Sequence, residues 1–143
     1  MAGNSPRRAL ITLDSDAMAV RDGLRTLFAM SPLREMTSEG RGTAEIVLAE
    51  VLNNIVEHAY ARHPGKIEVL VELVAPELVC QIRDSGLPMP GECLPTGLLR
   101  PLGEQDELPE GGFGWFLIRT LARDLAYRRA DSCNQLSFRL DAC

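Results

Sequence analysis

The chain has 143 residues, 45% of them hydrophobic and 24% charged, with a formal net charge of -5, enough to bury one core and too little for a second domain of ordinary size. The acidic balance excludes a broad phosphate-binding surface, which clusters Lys and Arg, so no direct nucleic-acid role is expected. No apolar run approaches the roughly 20 residues of a membrane span, which argues against a membrane partner.

The start, MAGNSPRRALITLDSD, carries no long apolar segment or cleavage site, so a cytoplasmic location is expected. Arg8 to Leu13 reads as a strand. Asp14 or Ser15 can then cap a helix from about Asp16 to Met30, striped with Val20, Leu24, Leu27 and Phe28 and ended by Ser31-Pro32. After a polar Gly- and Ser-rich stretch, a long helix is expected from about Gly42 to Ala61, stopped by His63-Pro64-Gly65. Lys66 to Val74 and Glu77 to Asp84 read as a hairpin of antiparallel strands turning at Ala75-Pro76.

From Ser85 to Gly112 the composition turns to Pro, Gly and acidic residues, with at most one short helix near Leu94 to Leu99. A third helix is expected from Phe113 to Arg123, then strands at Asp124 to Ala130 and Gln135 to Leu140 joined by a turn at Asp131 to Asn134. In the last strand Leu136, Phe138 and Leu140 alternate with Gln135, Ser137 and Arg139, which predicts one covered and one exposed face. The fold expected is α+β, a two-layer α/β sandwich in one domain over residues 1–143, with helices on one face of a mostly antiparallel mixed sheet. The glycines come after two paired strands, which disfavours a Rossmann domain. Cys80, Cys93, Cys133 and Cys143 are scattered, with no C-x-x-C pair, so reduced thiols are expected. Arg119, Arg123, Arg128 and Arg129 read as a solvated helix face and strand edge.

Three clusters carry chemistry. In LAEVLNNIVEHAY, Glu50, Asn54 and His58 fall four apart, so on a helix a carboxylate, an amide and an imidazole share one edge opposite an apolar arc. Alone, such an edge is an ordinary solvated face. In the second cluster, Asp84-Ser85-Gly86, a carboxylate ends a buried strand; alone this is a good turn, but Asp84 can also accept from an exocyclic amine while Gly86 lets a flat base approach. In the third, Gly111 to Gly114 ahead of a helix offers backbone N–H groups and a positive helix end suited to phosphate. Together they describe an ATP site.

The runs E-x3-N-x2-E-H-A-Y, D-S-G-L-P, E-G-G-F-G-W-F-L-I and N-Q-L-S-F resemble the GHKL (histidine-kinase-like) ATPase superfamily, and within it the anti-sigma factor serine/threonine kinase group. The resemblance implies a Bergerat-type ATP-binding fold, ATP and Mg2+ as cofactors, and an ATP lid at about 89–110, within which Arg100 is a candidate phosphate contact. It further implies that Asn54 holds the metal, that Glu50 is the catalytic base, and that His58 supports contacts around the nucleotide. Asp84 and Gly86 would bind the base, and Gly112 and Gly114 the phosphates. Trp115 departs from the Leu usual after the glycine loop, either altering the lid or packing as a core aromatic.

The function implied is an anti-sigma factor with protein serine kinase activity toward a STAS-type antagonist, with a sigma factor as its second partner and a homodimer as its working form. The alternative is a non-catalytic, nucleotide-dependent partner-binding module. No His precedes His58, which disfavours a sensor histidine kinase fragment, and a gyrase-like ATPase would need a further transducer domain.

Overall fold

Alternation of apolar with polar residues yields five strands, which the computed structural model, describing residues 7–95 and 112–143, pairs into one sheet. These are β1 (Arg8–Asp14), β2 (Lys66–Val74), β3 (Glu77–Asp84), β4 (Arg123–Ala130) and β5 (Cys133–Asp141), in the order β1-β2-β3-β5-β4. Every pairing is antiparallel, so the sheet is not mixed as expected. The reason is topological: β5 inserts between β3 and β4, so the crossover joining those two makes no parallel pair, while β1 and β2, joined through α1 and α2, pair antiparallel.

The register carries Ile67, Val69, Cys80, Ile82, Leu136 and Phe138 to one face, all at most 4% exposed. Helices α1 (Ala17–Phe28), α2 (Ser38–Asn54) and α3 (Gly112–Leu121) cover that face and complete a two-layer α+β sandwich. Each large side chain buried there contributes roughly 1.5–3 kcal/mol relative to an exposed one. Among the described residues no helix is long and apolar enough to cross a membrane.

Three boundaries depart from expectation. The α1 cap is Asp16, whose carboxylate accepts from the Ala19 N–H at 2.8 Å, and not Asp14 or Ser15. Those two are already engaged, since Asp14 pairs with Lys66 and the Ser15 hydroxyl accepts from the Gly65 N–H. α2 begins at Ser38, four residues before Gly42, because Thr37 caps it through the Gly40 N–H and Gly40 lies against the Ala142 carbonyl. The end of the polar Gly- and Ser-rich stretch, Ser38 to Arg41, is therefore helix start, preceded by a 3-10 turn at Leu33–Glu35. The last hairpin turns on Asp131 and Ser132 alone, both at positive φ, which leaves Asn134 inside β5.

At the far end of the sheet Glu77 accepts from Arg123 at 2.5 Å and from Arg139 at 2.9 Å. Those two bonds, Arg123's first, hold its carboxyl below the usual range. A depressed carboxylate stabilises the fold above its ordinary pKa and loses that contribution as pH falls through the lowered one. Glu77→Gln is accordingly expected to lower the melting temperature at pH 7 by an amount that shrinks as the pH falls into the acid range, as calorimetric melts across that range will show.

The four cysteines are free thiols. Cys80 is fully buried, and burial pushes its thiol far up. Trp115 is 6% exposed and belongs to the core, the second of its two expected roles.

Candidate functional site

α2 is the spine of the site. Its apolar residues Val47, Leu48, Val51 and Leu52 are sunk in the core, which turns Glu50 and Asn54 toward the first turn of α3. A Cβ placed on Gly114 would lie 2.8 Å from Glu50 Oε2 and 3.4 Å from Asn54 Nδ2. Two of the three sequence clusters therefore meet at this point.

The Asn54 amide is oriented by chemistry. Its Nδ2 donates to the Glu50 carbonyl oxygen at 2.8 Å, and a carbonyl can only accept, so Oδ1 is left as an acceptor without a hydrogen bond among the described residues. One neutral oxygen, beside the Glu50 carboxylate, suits a hard cation that keeps most of its waters and phosphate oxygens.

α3 begins at Gly112, so Gly112, Phe113 and Gly114 are its first turn and not a loop ahead of it. The first N–H groups of a helix have no intrahelical acceptor and meet the positive end of the dipole, the condition an anion requires. Gly111, Arg100 and most of the segment expected to be the lid lie outside the described residues, as do residues 96–99 of the short helix expected near Leu94 to Leu99. The described start of that segment is tied down: Met89 N–H donates to the Tyr127 hydroxyl at 3.0 Å, and Arg119 donates to the Pro95 carbonyl at 2.8 Å.

Past Asn54 the helix widens into a π turn over Ile55–Ala59, closed by the Tyr60 N–H on the Ile55 carbonyl. Such turns change the phase of the residues after them. His58 lies in this turn with its side chain 67% exposed and its nearest acid, Glu57, at 4.0 Å. Among the described residues it makes no hydrogen bond to Glu50, Asn54 or Asp84.

The π turn is also where the Asp84 loop attaches. Leu87 N–H donates to the Ala59 carbonyl at 2.7 Å, and Gly86 packs so tightly there that a Cβ would sit 2.6 Å from the Ala59 carbonyl carbon. The close approach that Gly86 permits is thus to the helix backbone. Tyr60 adds a second tie: its hydroxyl accepts from the Ser85 N–H at 2.8 Å and donates to the Lys66 carbonyl at 2.6 Å. Burial raises its phenol pKa above the ordinary value.

Asp84 is 6% exposed, and its Oδ1 accepts from the Gly86 N–H at 2.9 Å and from Asn134 Nδ2 at 2.8 Å. Burial pushes its carboxyl above the usual range, opposed by those two bonds and by the charge of Arg129. Asn134, Tyr127 and Arg129 around it were given no role by the sequence. The four arginines do not act as one patch: Arg119 and Arg129 hold loop carbonyls, Arg123 pairs with Glu77 and Asp141, and Arg128 is exposed. An open depression of about 260 Å³ on the helix-free face, lined by Thr12, Lys66, Glu68, Arg83, Ser85 and Cys133, includes Asp84 in its lining but neither Glu50 nor Asn54.

Asp84 and the α3 start are thus separated along α2 by the run from Glu50 to Ala59, roughly 13 Å at helical rise, a length that an extended nucleoside triphosphate covers. The family model described as the histidine kinase-like ATPase domain matches residues 13–140. The chain is 30% identical over 135 residues to the serine/threonine-protein kinase BtrW of Bordetella bronchiseptica, an alignment covering 93% of each protein. It is likewise 30% identical over 122 residues to the serine-protein kinases RsbW of Bacillus cereus and Bacillus mycoides, covering 82% of this chain and 67% of the relative. A match across nearly the whole sheet and helical layer, with relatives at this identity and coverage, makes the chain a member of the histidine kinase-like ATPase (GHKL) family.

Proposed function

We propose that this protein is a cytoplasmic anti-sigma factor with serine kinase activity, which uses ATP to phosphorylate a STAS-type antagonist and in its other state binds a sigma factor. One observation carries the reading: a carboxylate and an amide whose carbonyl oxygen is free face the N-terminal turn of α3, while a buried carboxylate lies roughly one nucleotide length away along the same helix. The names of the relatives, all protein serine or serine/threonine kinases, support transfer to a protein hydroxyl.

In this reading Asp84 accepts from the adenine amine, and Gly86 lines the base through the turn it shares with Asp84. Gly112 and Gly114 turn backbone N–H groups toward the phosphates. Asn54 Oδ1 is the protein ligand for Mg2+, which when bound neutralises phosphate charge. Glu50 takes the proton from the attacking serine hydroxyl, so that catalysis rests on positioning and charge with little covalent work by the protein. His58, exposed beside Glu57, stands at the rim and supports contacts around the nucleotide.

The test is incubation of the protein with radiolabelled ATP and a STAS-type antagonist from the same genome. Label on an antagonist serine is expected. Nucleotide binding by calorimetry without any transfer would replace the kinase with a nucleotide-dependent binding module.

A further inference from the structure

Asn134 stands directly across from Asp84 in the β3–β5 register, on the covered face, with 5% of its surface exposed. Its Oδ1 accepts from Arg129 Nη1 at 3.0 Å and from the Tyr127 hydroxyl at 2.5 Å. A guanidinium can only donate, so the amide has one orientation: Nδ2 must face Asp84 Oδ1 and the Leu87 carbonyl, each at 2.8 Å. Both lone pairs and both N–H groups of this amide are then used.

We propose that Asn134 is a specificity-determining positioning residue, whose amide, oriented by Tyr127 and Arg129, fixes Asp84 as a pure acceptor for the exocyclic amine of adenine. The proposal rests on the nucleotide reading above and goes beyond it in naming what selects the base.

The chemistry follows from counting donors. Asp84 Oδ1 receives two N–H groups, from Asn134 and Gly86, while Oδ2 takes no hydrogen bond among the described residues. Oδ2 is therefore the atom presented to a ligand, and any proton on this carboxyl must sit there. Protonated, the site would turn from acceptor to donor and would suit the C6 carbonyl of hypoxanthine or guanine instead of the C6 amine of adenine. Burial alone drives the carboxyl toward that protonated form, and the Asn134 and Gly86 bonds together with the Arg129 charge oppose it. The same amide secures the loop, since Arg129 also donates to the Gly86 carbonyl at 2.7 Å and Asn134 to that of Leu87.

The readout is the ratio of dissociation constants for Mg-ITP and Mg-ATP, measured by calorimetry on the full chain. Because the ratio is taken within one protein, a loss of folded fraction does not move it. The parent is expected to favour ATP by on the order of 10- to 100-fold, the cost of meeting a carboxylate with a carbonyl. Asn134→Ala is expected to cut that ratio at least about tenfold, with ATP affinity falling and ITP affinity held or raised. Tyr127→Phe, which removes one oxygen and keeps the ring, is expected to lower it about threefold and carries the test if Asn134→Ala does not fold. An unchanged ratio in the folded variants overturns the role of Asn134 while leaving the nucleotide site standing. A parent that binds neither nucleotide overturns the site itself.

Discussion

Asn54→Ala is expected to remove Mg-ATP binding to below calorimetric detection, while Glu50→Ala binds the nucleotide like the parent and loses transfer by about 10²- to 10⁴-fold, the usual value of a positioned base. The two side chains sit one helical turn apart against the same first turn of α3, so their separation is functional and not positional. The Asn54 amide donates to the Glu50 carbonyl and turns its only free acceptor outward, whereas Glu50 offers a carboxylate near the tip of that helix. Truncating Asn54 takes away a metal ligand that no neighbour replaces. Truncating Glu50 leaves every proposed nucleotide contact in place. Parent-like Mg-ATP binding by Asn54→Ala would remove the assignment of metal to this edge, and parent-like transfer by Glu50→Ala would remove the base. Both side chains are half-buried on the edge of a helix whose opposite side is packed in the core, so both truncations are expected to fold.

Gly86→Ala carries the second large effect, and it is one of stability. Gly86 has no left-handed backbone to protect; what it protects is a contact. An added methyl would lie 2.6 Å from the Ala59 carbonyl carbon and 2.9 Å from the Ala59 Cβ, at the place where the Leu87 N–H bonds the Ala59 carbonyl. Neither side yields easily: the π turn is closed by Tyr60, and the loop is held by Tyr60, Arg129 and Asn134. Overpacking plus a weakened hydrogen bond costs about 3 kcal/mol, a drop of roughly 10 °C in melting temperature for a domain of this size. Thermal melts followed by circular dichroism measure it. A shift of about 1 °C or less would mean that the helix end and the loop are not locked together.

The reach of the sequence differed from element to element for identifiable reasons. The β2–β3 hairpin matches expectation to the residue, since alternation over two runs and a two-residue break leave one register that buries one face. The last strand was readable in the same way, but Asn134 was assigned to its turn because Asp, Ser, Cys and Asn together look like loop. The turn needs only Asp131 and Ser132, and the residue that looked most loop-like became the partner of Asp84. At α2 the Gly-rich stretch looked like a break; Gly40 is there because the helix start touches the Ala142 carbonyl, a contact more than 100 residues away in the chain and invisible to local propensity.

By itself the sequence determined the α+β class, the strands, the spacing of Glu50 and Asn54, and the family, because periodicity and motif spacing are local properties. Only the tertiary structure decided that Glu50 and Asn54 meet Gly114, that Gly86 packs on Ala59 while His58 stays exposed, and that Asn134, Tyr127, Arg129 and Tyr60 secure the Asp84 loop. These are pairings between strands and helix ends distant in sequence, set by the β3–β5 register and by a π turn that no residue pattern announces. Hydrogen-bond partners of buried polar groups are chosen by what the fold brings opposite them, and that choice is made after the chain has closed.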